Sequence, residues 1–186
     1  NSGNIILLDF RNLSLSDYSN PSPTDILLDG HVYPSFYRTY ITYGTYVTTN
    51  PSYQYVFIGH SIVGPAAIPQ SIRDSILELG FGVSSSATVS LFAVNEHRLF
   101  IENTYATINA GGNNVSNAWI FNGKEFTTMY LKFQLLGGTY SNCGLFYLNP
   151  NAGALVMYGN SLEFIGSVNF AGPVYYVYLP NGTAQV

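Results

Sequence analysis

Short β-prone runs separated by turn signals constrain the fold of this chain more than any other feature of its sequence. The clearest run covers residues 38–49, RTYITYGTYVTT, in which nearly every residue is β-branched or aromatic. Such residues suit a pleated, half-buried strand. Further runs lie at residues 53–58, 99–109, 145–148, 154–158, 162–168 and 174–179. Turns at this spacing, without alternating helices, predict an all-β fold, an Ig-like or jelly-roll-type β-sandwich.

One segment predicts a short helix in this sandwich. Pro69 suits a first helical position, and Gly80 ends the run that follows. Between them the apolar residues recur every three or four positions, at Ile68, Ile72, Ile76 and Leu79. We therefore expect one helix over residues 69–79, lying across an open end of the sandwich.

Two further segments predict antiparallel hairpins. Asn122-Gly123 is the strongest short-range hairpin signal in the chain and joins residues 118–121 to residues 124–136. Residues 95–98 are expected to turn between the runs 82–94 and 99–109. In the return strand after Gly123, Met129, Leu131, Phe133 and Leu135 alternate with Lys132 and Gln134. This alternation predicts a strand with one face in the core and one in water.

Composition and charge exclude several classes of function. Charged residues make up 9% of the chain, against about 25% in an average domain. Six basic and ten acidic residues give a net charge of -4, and no basic cluster is present, which argues against nucleic acid as a partner. No run approaches the roughly 20 apolar residues of a membrane-spanning helix. A single cysteine, Cys143, excludes an intrachain disulfide and a cysteine-cluster metal site.

The sequence contains no convincing catalytic or metal-binding constellation. Residues 59–64, GHSIVG, resemble the nucleophile elbow of serine hydrolases, but the second glycine is one residue late and Pro65 follows. The histidines, His31, His60 and His97, lie in separate turns without ligand spacing. Asp74 and Glu78 have the spacing of a helical pair, which is commonly a solvated one. We expect no enzyme activity, no metal and no cofactor.

The first sixteen residues are expected to act as a detachable strand. Ile5–Leu8 is a continuous apolar run typical of a strand buried on both faces. The segment after it contains Pro21 and Pro23, which favour extended chain. We expect a donor strand at 1–16, a linker at 17–25 and a β-sandwich body at 26–186. The expected donor residues, which insert into a neighbouring subunit, are Ile5, Ile6, Leu7, Leu8, Phe10, Leu13 and Leu15. Docking of the same strand on its own body remains the alternative.

Three sequons point to an extracellular protein. They begin at Asn12, Asn114 and Asn181. Asn114 and Asn181 lie in turn-like segments, so we expect N-linked glycans there, and little or none at Asn12, since a glycan would block insertion of a donor strand. The absence of an initiator Met before Asn1 suggests a secreted chain with a processed N-terminus.

Few charges, many Tyr, Asn, Ser and Thr residues, and an apolar first strand ahead of a β-rich body together resemble the thread-filament subunits of thermoacidophilic archaea. That resemblance implies a glycosylated homopolymer of the cell surface, used in adhesion or biofilms, in which each subunit's first strand completes the next subunit. Two other classes stay open. A viral coat protein would share the sandwich and the composition, and a secreted carbohydrate-binding module would use the sixteen tyrosines as a platform.

Overall fold

The computed structural model describes residues 6–12, 14–17, 24–28, 32–45, 54–59, 70–148 and 154–180, and every regular element in these ranges is a β-strand. The strands are β1 (Ile6–Arg11), β2 (Ser14–Asp17), β3 (Thr24–Leu28), β4 (Val32–Tyr37), β5 (Tyr40–Thr45), β6 (Gln54–Gly59), β7 (Gln70–Arg73), β8 (Ile76–Phe81), β9 (Val89–Glu102), β10 (Tyr105–Asn109), β11 (Asn114–Ser116), β12 (Ala118–Met129), β13 (Lys132–Ser141), β14 (Cys143–Leu148), β15 (Ala154–Tyr158), β16 (Ser161–Phe170) and β17 (Val174–Tyr178).

All strands except β11, which pairs with the end of β13, form three parallel stacks, and the chain visits them in turn. The first stack contains β1, β4, β7, the second halves of β9 and β12, and β15. The second contains β2, β5, β8, β10, β13 and β16. The third contains β3, β6, the first halves of β9 and β12, β14 and β17. One strand from each stack makes one coil, so the chain is a β-solenoid of six coils.

Side chains from all three stacks meet inside the coils and form one hydrophobic core. The Phe126 ring of the first stack lies 5.0 Å from the Phe146 ring of the third. The Phe133 ring of the second stack lies 6.2 Å from the ring of Tyr176 in the third. Residues paired in register across successive coils form columns, and a column that points inward is apolar along most of its length. Ile41, Leu77, Ala106 and Phe133 make one such column, and each is almost completely buried.

The corner between the first and second stacks has the same backbone conformation in every coil. Its residues all have positive φ, between 46° and 63°, and form one column: Asn12, Arg38, Asp74, Asn103, Tyr130 and Gly159. The first five donate their backbone N–H to a carbonyl of the next coil, at 2.9–3.1 Å. Asn and Asp tolerate this left-handed conformation better than most residues, and the Asn103 amide also donates to Asp74 Oδ1 at 2.7 Å. The corner therefore fixes where each coil turns.

The expected Ig-like or jelly-roll-type sandwich is wrong. Every strand pair in the described ranges is parallel, whereas these sandwiches are built from antiparallel sheets. The error has a physical cause. A solenoid strand has one face in the core and one in water, so it shows the same period-two alternation as a sandwich strand.

The helix expected over residues 69–79 is also wrong, because the described part of this segment forms β7, a corner at Asp74 and β8. Ile72, Leu77 and Leu79 are buried, while Ile76 is 48% exposed. Two short strands on either side of a corner thus reproduced a helix-like spacing. Pro69 lies outside the described residues.

Neither expected hairpin forms, since Asn122-Gly123 lies inside β12 and residues 95–98 lie inside β9. At Gly123 the chain does not reverse, and the register with β9 shifts between Gly123 and Glu125. The alternation from Leu131 onward is confirmed, but the expected single strand is not, because a corner at Tyr130 separates β12 from β13. Met129, expected on the buried face, ends β12 and is only partly buried. Leu131, Phe133 and Leu135 are buried, while Lys132 and Gln134 are partly exposed.

Candidate functional site

The last coil, formed by β15, β16 and β17, carries the candidate site. Within the described ranges, β15 pairs only with β12, β16 only with β13, and β17 only with β14. Each strand therefore has one edge without a described neighbour, and the three edges lie on the same side of the coil. We call this surface the open end. Backbone N–H and C=O groups along such an edge are a template for further strands.

The open end exposes side chains that are buried at the equivalent positions one coil earlier. In the second stack, Leu162 and Phe164 are 44% and 52% exposed, while their register partners Phe133 and Leu135 are fully buried. Phe170 is 53% exposed and pairs with Tyr140, which is also fully buried.

The first stack repeats this difference. Met157 is 45% exposed and pairs with Thr128, which is fully buried. These columns are interior along the solenoid and become surface only because no further described coil covers them. The open end is thus a cross-section of the hydrophobic core.

A cavity of about 220 Å³ opens at this end between the second and third stacks. Phe133, Leu162, Phe164 and Phe170 line one side, and Tyr175 and Tyr176 line the other. The Tyr176 hydroxyl is buried and makes no hydrogen bond to any described residue. The lining is almost entirely apolar and aromatic, so the cavity suits apolar side chains better than a charged ligand.

The outer surface beside the open end is held by interactions between coils. On the second stack, Gln134 donates to Glu163 at 2.8 Å, and Lys132 Nζ lies 3.7 Å from the same carboxylate. On the third stack, the Trp119 ring lies within 6 Å of three tyrosine rings, those of Tyr147, Tyr175 and Tyr178. The last coil is thereby fixed to the two coils before it.

Burial shifts the pKa of three side chains in this half of the molecule. Burial raises the pKa of Tyr140 to about 12, with hydrogen bonds to Ala110 and Leu136 opposing the shift. Burial also raises the pKa of Tyr176 to about 12 and that of Cys143 to about 11. The Cys143 thiol therefore stays protonated at neutral pH. Since the thiolate is the reactive form, this cysteine is an inert core residue.

Five of the seven residues expected to form a donor strand lie in the first coil. Ile6, Leu7, Leu8 and Phe10 belong to β1, which pairs with β4 of the same chain, and Leu15 belongs to β2, which pairs with β5. Ile5 and Leu13 lie outside the described residues, as does most of the expected linker. Insertion of this segment into a neighbouring subunit is not tested by these pairings and stays a prediction.

The three expected glycosylation sites are separated along the molecule. Asn12 is exposed at the corner of the first coil. Asn114 is exposed at the start of β11, where its backbone N–H donates to Ser84 Oγ at 3.0 Å. Asn181 lies outside the described residues. Occupancy of all three sites stays a prediction.

The candidates for catalysis that the sequence offered do not assemble into a site. Asp74 lies at the corner between β7 and β8, whereas Glu78 lies within β8, and each has a structural partner. Glu78 accepts hydrogen bonds from Tyr40 and Asn109, both at 2.9 Å. Ser61, His31 and His60 lie outside the described residues, and His97 lies in β9. No group of three or more potential metal ligands occurs in the described ranges.

Sequence reasoning missed the open end itself. Leu162, Phe164 and Phe170 carry the same apolar pattern as the buried residues of earlier coils, so composition gives no sign that they are exposed. The part of the chain that the structure describes has no helix long and apolar enough to cross a membrane. Comparisons with protein-family models, curated proteins and solved structures find no match.

Proposed function

We propose that this chain is a structural subunit of an extracellular filament and has no enzyme activity. The observation that carries the proposal is the open end, where Leu162, Phe164, Phe170 and Met157 expose the core. Repeat proteins need terminal repeats with a polar outer face to remain soluble as monomers. Contiguous exposed apolar surface commonly marks an interaction site. Here the apolar surface coincides with three strand edges that have no described neighbour, so strand addition is the mode of contact that it favours.

The two ends of the solenoid differ, which favours a fibre over a closed assembly. A contact between unlike ends is heterologous, and it propagates as a filament if the rotation between subunits does not close a ring. A carbohydrate-binding module would remain a single particle, and a coat protein would close a shell.

Electron microscopy of the purified protein distinguishes these outcomes. We expect unbranched fibres that lengthen with protein concentration. Shells would favour the coat protein. Single particles at all concentrations, with one sedimenting species, would contradict the filament.

Glycosylation tests the extracellular part of the proposal. We expect N-linked glycans at Asn114 and Asn181 in protein isolated from its natural source. At Asn12 we expect little or none, since this residue lies in the first coil, at an end where a neighbouring subunit would attach. Peptide mass spectrometry measures the occupancy of each site. High occupancy at Asn12 would argue against a subunit contact at the first coil, and empty sites at Asn114 and Asn181 would remove this support for secretion.

A further inference from the structure

Resting on the proposed filament function, we infer that the open end binds the first coil of a second copy of this chain. In this arrangement β1 of the second copy pairs with β15, β2 with β16, and β3 with β17. The solenoid then continues across the subunit boundary without a change of direction. The contact is strand stacking in all three stacks, rather than insertion of one strand into a groove.

The first coil has the strands that such a contact requires. Within the described ranges, β1 pairs only with β4, β2 only with β5, and β3 only with β6. Each therefore has one edge free of described neighbours, on the side opposite to the rest of the solenoid. The first and last coils also visit the three stacks in the same order, so a parallel copy presents three strands to three edges at once.

Extension of the observed register across the boundary brings apolar residues together. Following each column from coil to coil places Phe10 of the second copy beside Met157. The same procedure places Leu15 beside Leu162 in the second stack. In the third stack it places Ile26 beside Val177. Between the two ends of each column, every residue whose side chain the structure describes is buried.

The column beside the corner, which contains Arg11 and Tyr158, gives a further match. Register extension places Arg11 of the second copy beside Tyr158, which is 62% exposed. Arginine already lies over aromatic rings in this region. The Arg38 guanidinium carbon is 5.0 Å from the Tyr37 ring centroid, and that of Arg73 is 5.1 Å from the Phe100 centroid. Such cation–π contacts are favourable, so Arg11 and Tyr158 suit each other.

Cysteine cross-linking tests the register directly. Ser14 is the first residue and Ser161 the last residue of one register column in the second stack. In neighbouring parallel strands their Cα atoms would lie about 4.8 Å apart, within the range of a disulfide. We expect Ser14→Cys protein mixed with Ser161→Cys protein to give a covalent dimer on oxidation, with neither variant forming one alone. Native Cys143 is buried and does not compete.

A matched control uses an off-register position on the same strand. Ser167 is exposed in β16, six residues beyond Ser161 and about 20 Å away along the strand. Ser14→Cys mixed with Ser167→Cys should give no cross-link. Equal cross-linking at both positions, or a disulfide between two Ser161→Cys copies, would overturn the inferred register. Fibres that form without the 14–161 cross-link would support the proposed filament but refute this contact. Single particles would refute both the filament and the contact.

A charge placed in the core column tests the same contact without cysteine. Leu162→Glu leaves the carboxylate in water in the monomer and forces it out of water in the stack. We expect the concentration needed for fibres to rise about tenfold or more, with an unchanged circular dichroism spectrum. Ser161→Glu, one residue away and facing outward, is the control and should still form fibres. Fibres of Leu162→Glu at the wild-type concentration would overturn the inference.

Discussion

At the scale of single residues, corners and close approaches limit the fold more strictly than the strands do. Gly138 illustrates this, since it has φ of 150°. An added Cβ would overlap the Ala110 side chain and lie 2.8 Å from the Asn113 carbonyl oxygen. The adjacent Gly137 has open space around the same position. Two neighbouring glycines in one strand therefore have very different tolerance to a methyl group.

Gly138→Ala should consequently lower the free energy of unfolding by about 3 kcal/mol, through backbone strain and overlap. Gly137→Ala, the matched control, should change it by less than about 0.5 kcal/mol. Urea unfolding of the two variants and the wild type measures the difference. Similar stabilities for both variants would show that the chain relaxes freely around Gly138, contrary to expectation.

Because Tyr140 is buried, the free energy of unfolding should depend on pH in the alkaline range. Its hydroxyl is buried, accepts the Ala110 N–H at 3.1 Å and donates to the Ile108 carbonyl at 2.9 Å. Burial raises its folded-state pKa to about 12, and that of Tyr176 likewise, from about 10 in an unfolded chain. Between these values the unfolded chain loses the protons first, so folding is favoured less as pH rises.

We therefore expect the contribution of these two tyrosines to stability to be complete below pH 10 and to be lost progressively up to pH 12. Urea unfolding at stepped pH, with tyrosinate absorbance recorded in parallel, measures this loss. Tyr140→Phe should be less stable at neutral pH, because hydrogen bonds are lost, but should show a shallower decline above pH 10. Identical slopes for the two proteins would rule out Tyr140 as a source of the pH dependence.

At the scale of elements, the sequence predicts strands well and their partners poorly. The period-two alternation correctly predicts which face of β13 is buried and which faces solvent. Leu131, Phe133 and Leu135 are on the buried side, and Lys132 and Gln134 are on the other. The alternation does not give pairing direction, since parallel and antiparallel strands share a period of two. Asn122-Gly123 signals a hairpin only if both residues adopt positive φ. Neither has positive φ in the structure, because both lie in an extended strand paired on each side.

Replacing Ile76 and Leu77 in turn distinguishes the observed strand from the expected helix. In β8, Leu77 is fully buried and Ile76 is half exposed, whereas a helix with the expected stripe would bury Ile76 and leave Leu77 outside. Leu77→Ala should cost about 2–5 kcal/mol. Ile76→Ala should cost less than about 1 kcal/mol, the usual range for a surface position. Thermal or urea unfolding measures the loss of stability in both variants. A larger loss for Ile76→Ala than for Leu77→Ala would support the expected helix instead of the strand.

At the scale of the whole molecule, the solenoid repeat cannot be recognised in the sequence because the coils differ in length. The corner residues Asn12, Arg38, Asp74, Asn103, Tyr130 and Gly159 share a conformation, yet they are spaced by 26 to 36 residues and have little chemistry in common. No fixed period can be read from such a pattern. The candidate site was equally hidden, because Leu162 and Phe164 differ from Phe133 and Leu135 only in belonging to the last coil.

Stacking at the open end makes the stability of the molecule depend on its concentration. Because a neighbour binds the folded coil and not the unfolded chain, the melting temperature should rise with protein concentration by mass action. For Leu162→Glu protein the same rise should require concentrations about tenfold higher or more, because its contact is weaker. Differential scanning calorimetry over a wide concentration range compares the two. A wild-type melting temperature that does not depend on concentration would argue against assembly through folded ends.

The parallel register of the coils also gives the molecule a fixed length along the solenoid axis. Each coil advances the chain by one strand spacing, so six coils occupy about 29 Å along the solenoid axis. End-to-end addition would keep this interval across every boundary. Fibre diffraction would then record one meridional spacing near 4.8 Å from coils and a second near 29 Å from subunits. A fibre one micrometre long would contain about 350 chains, so the number of subunits could be calculated from the length of the fibre alone.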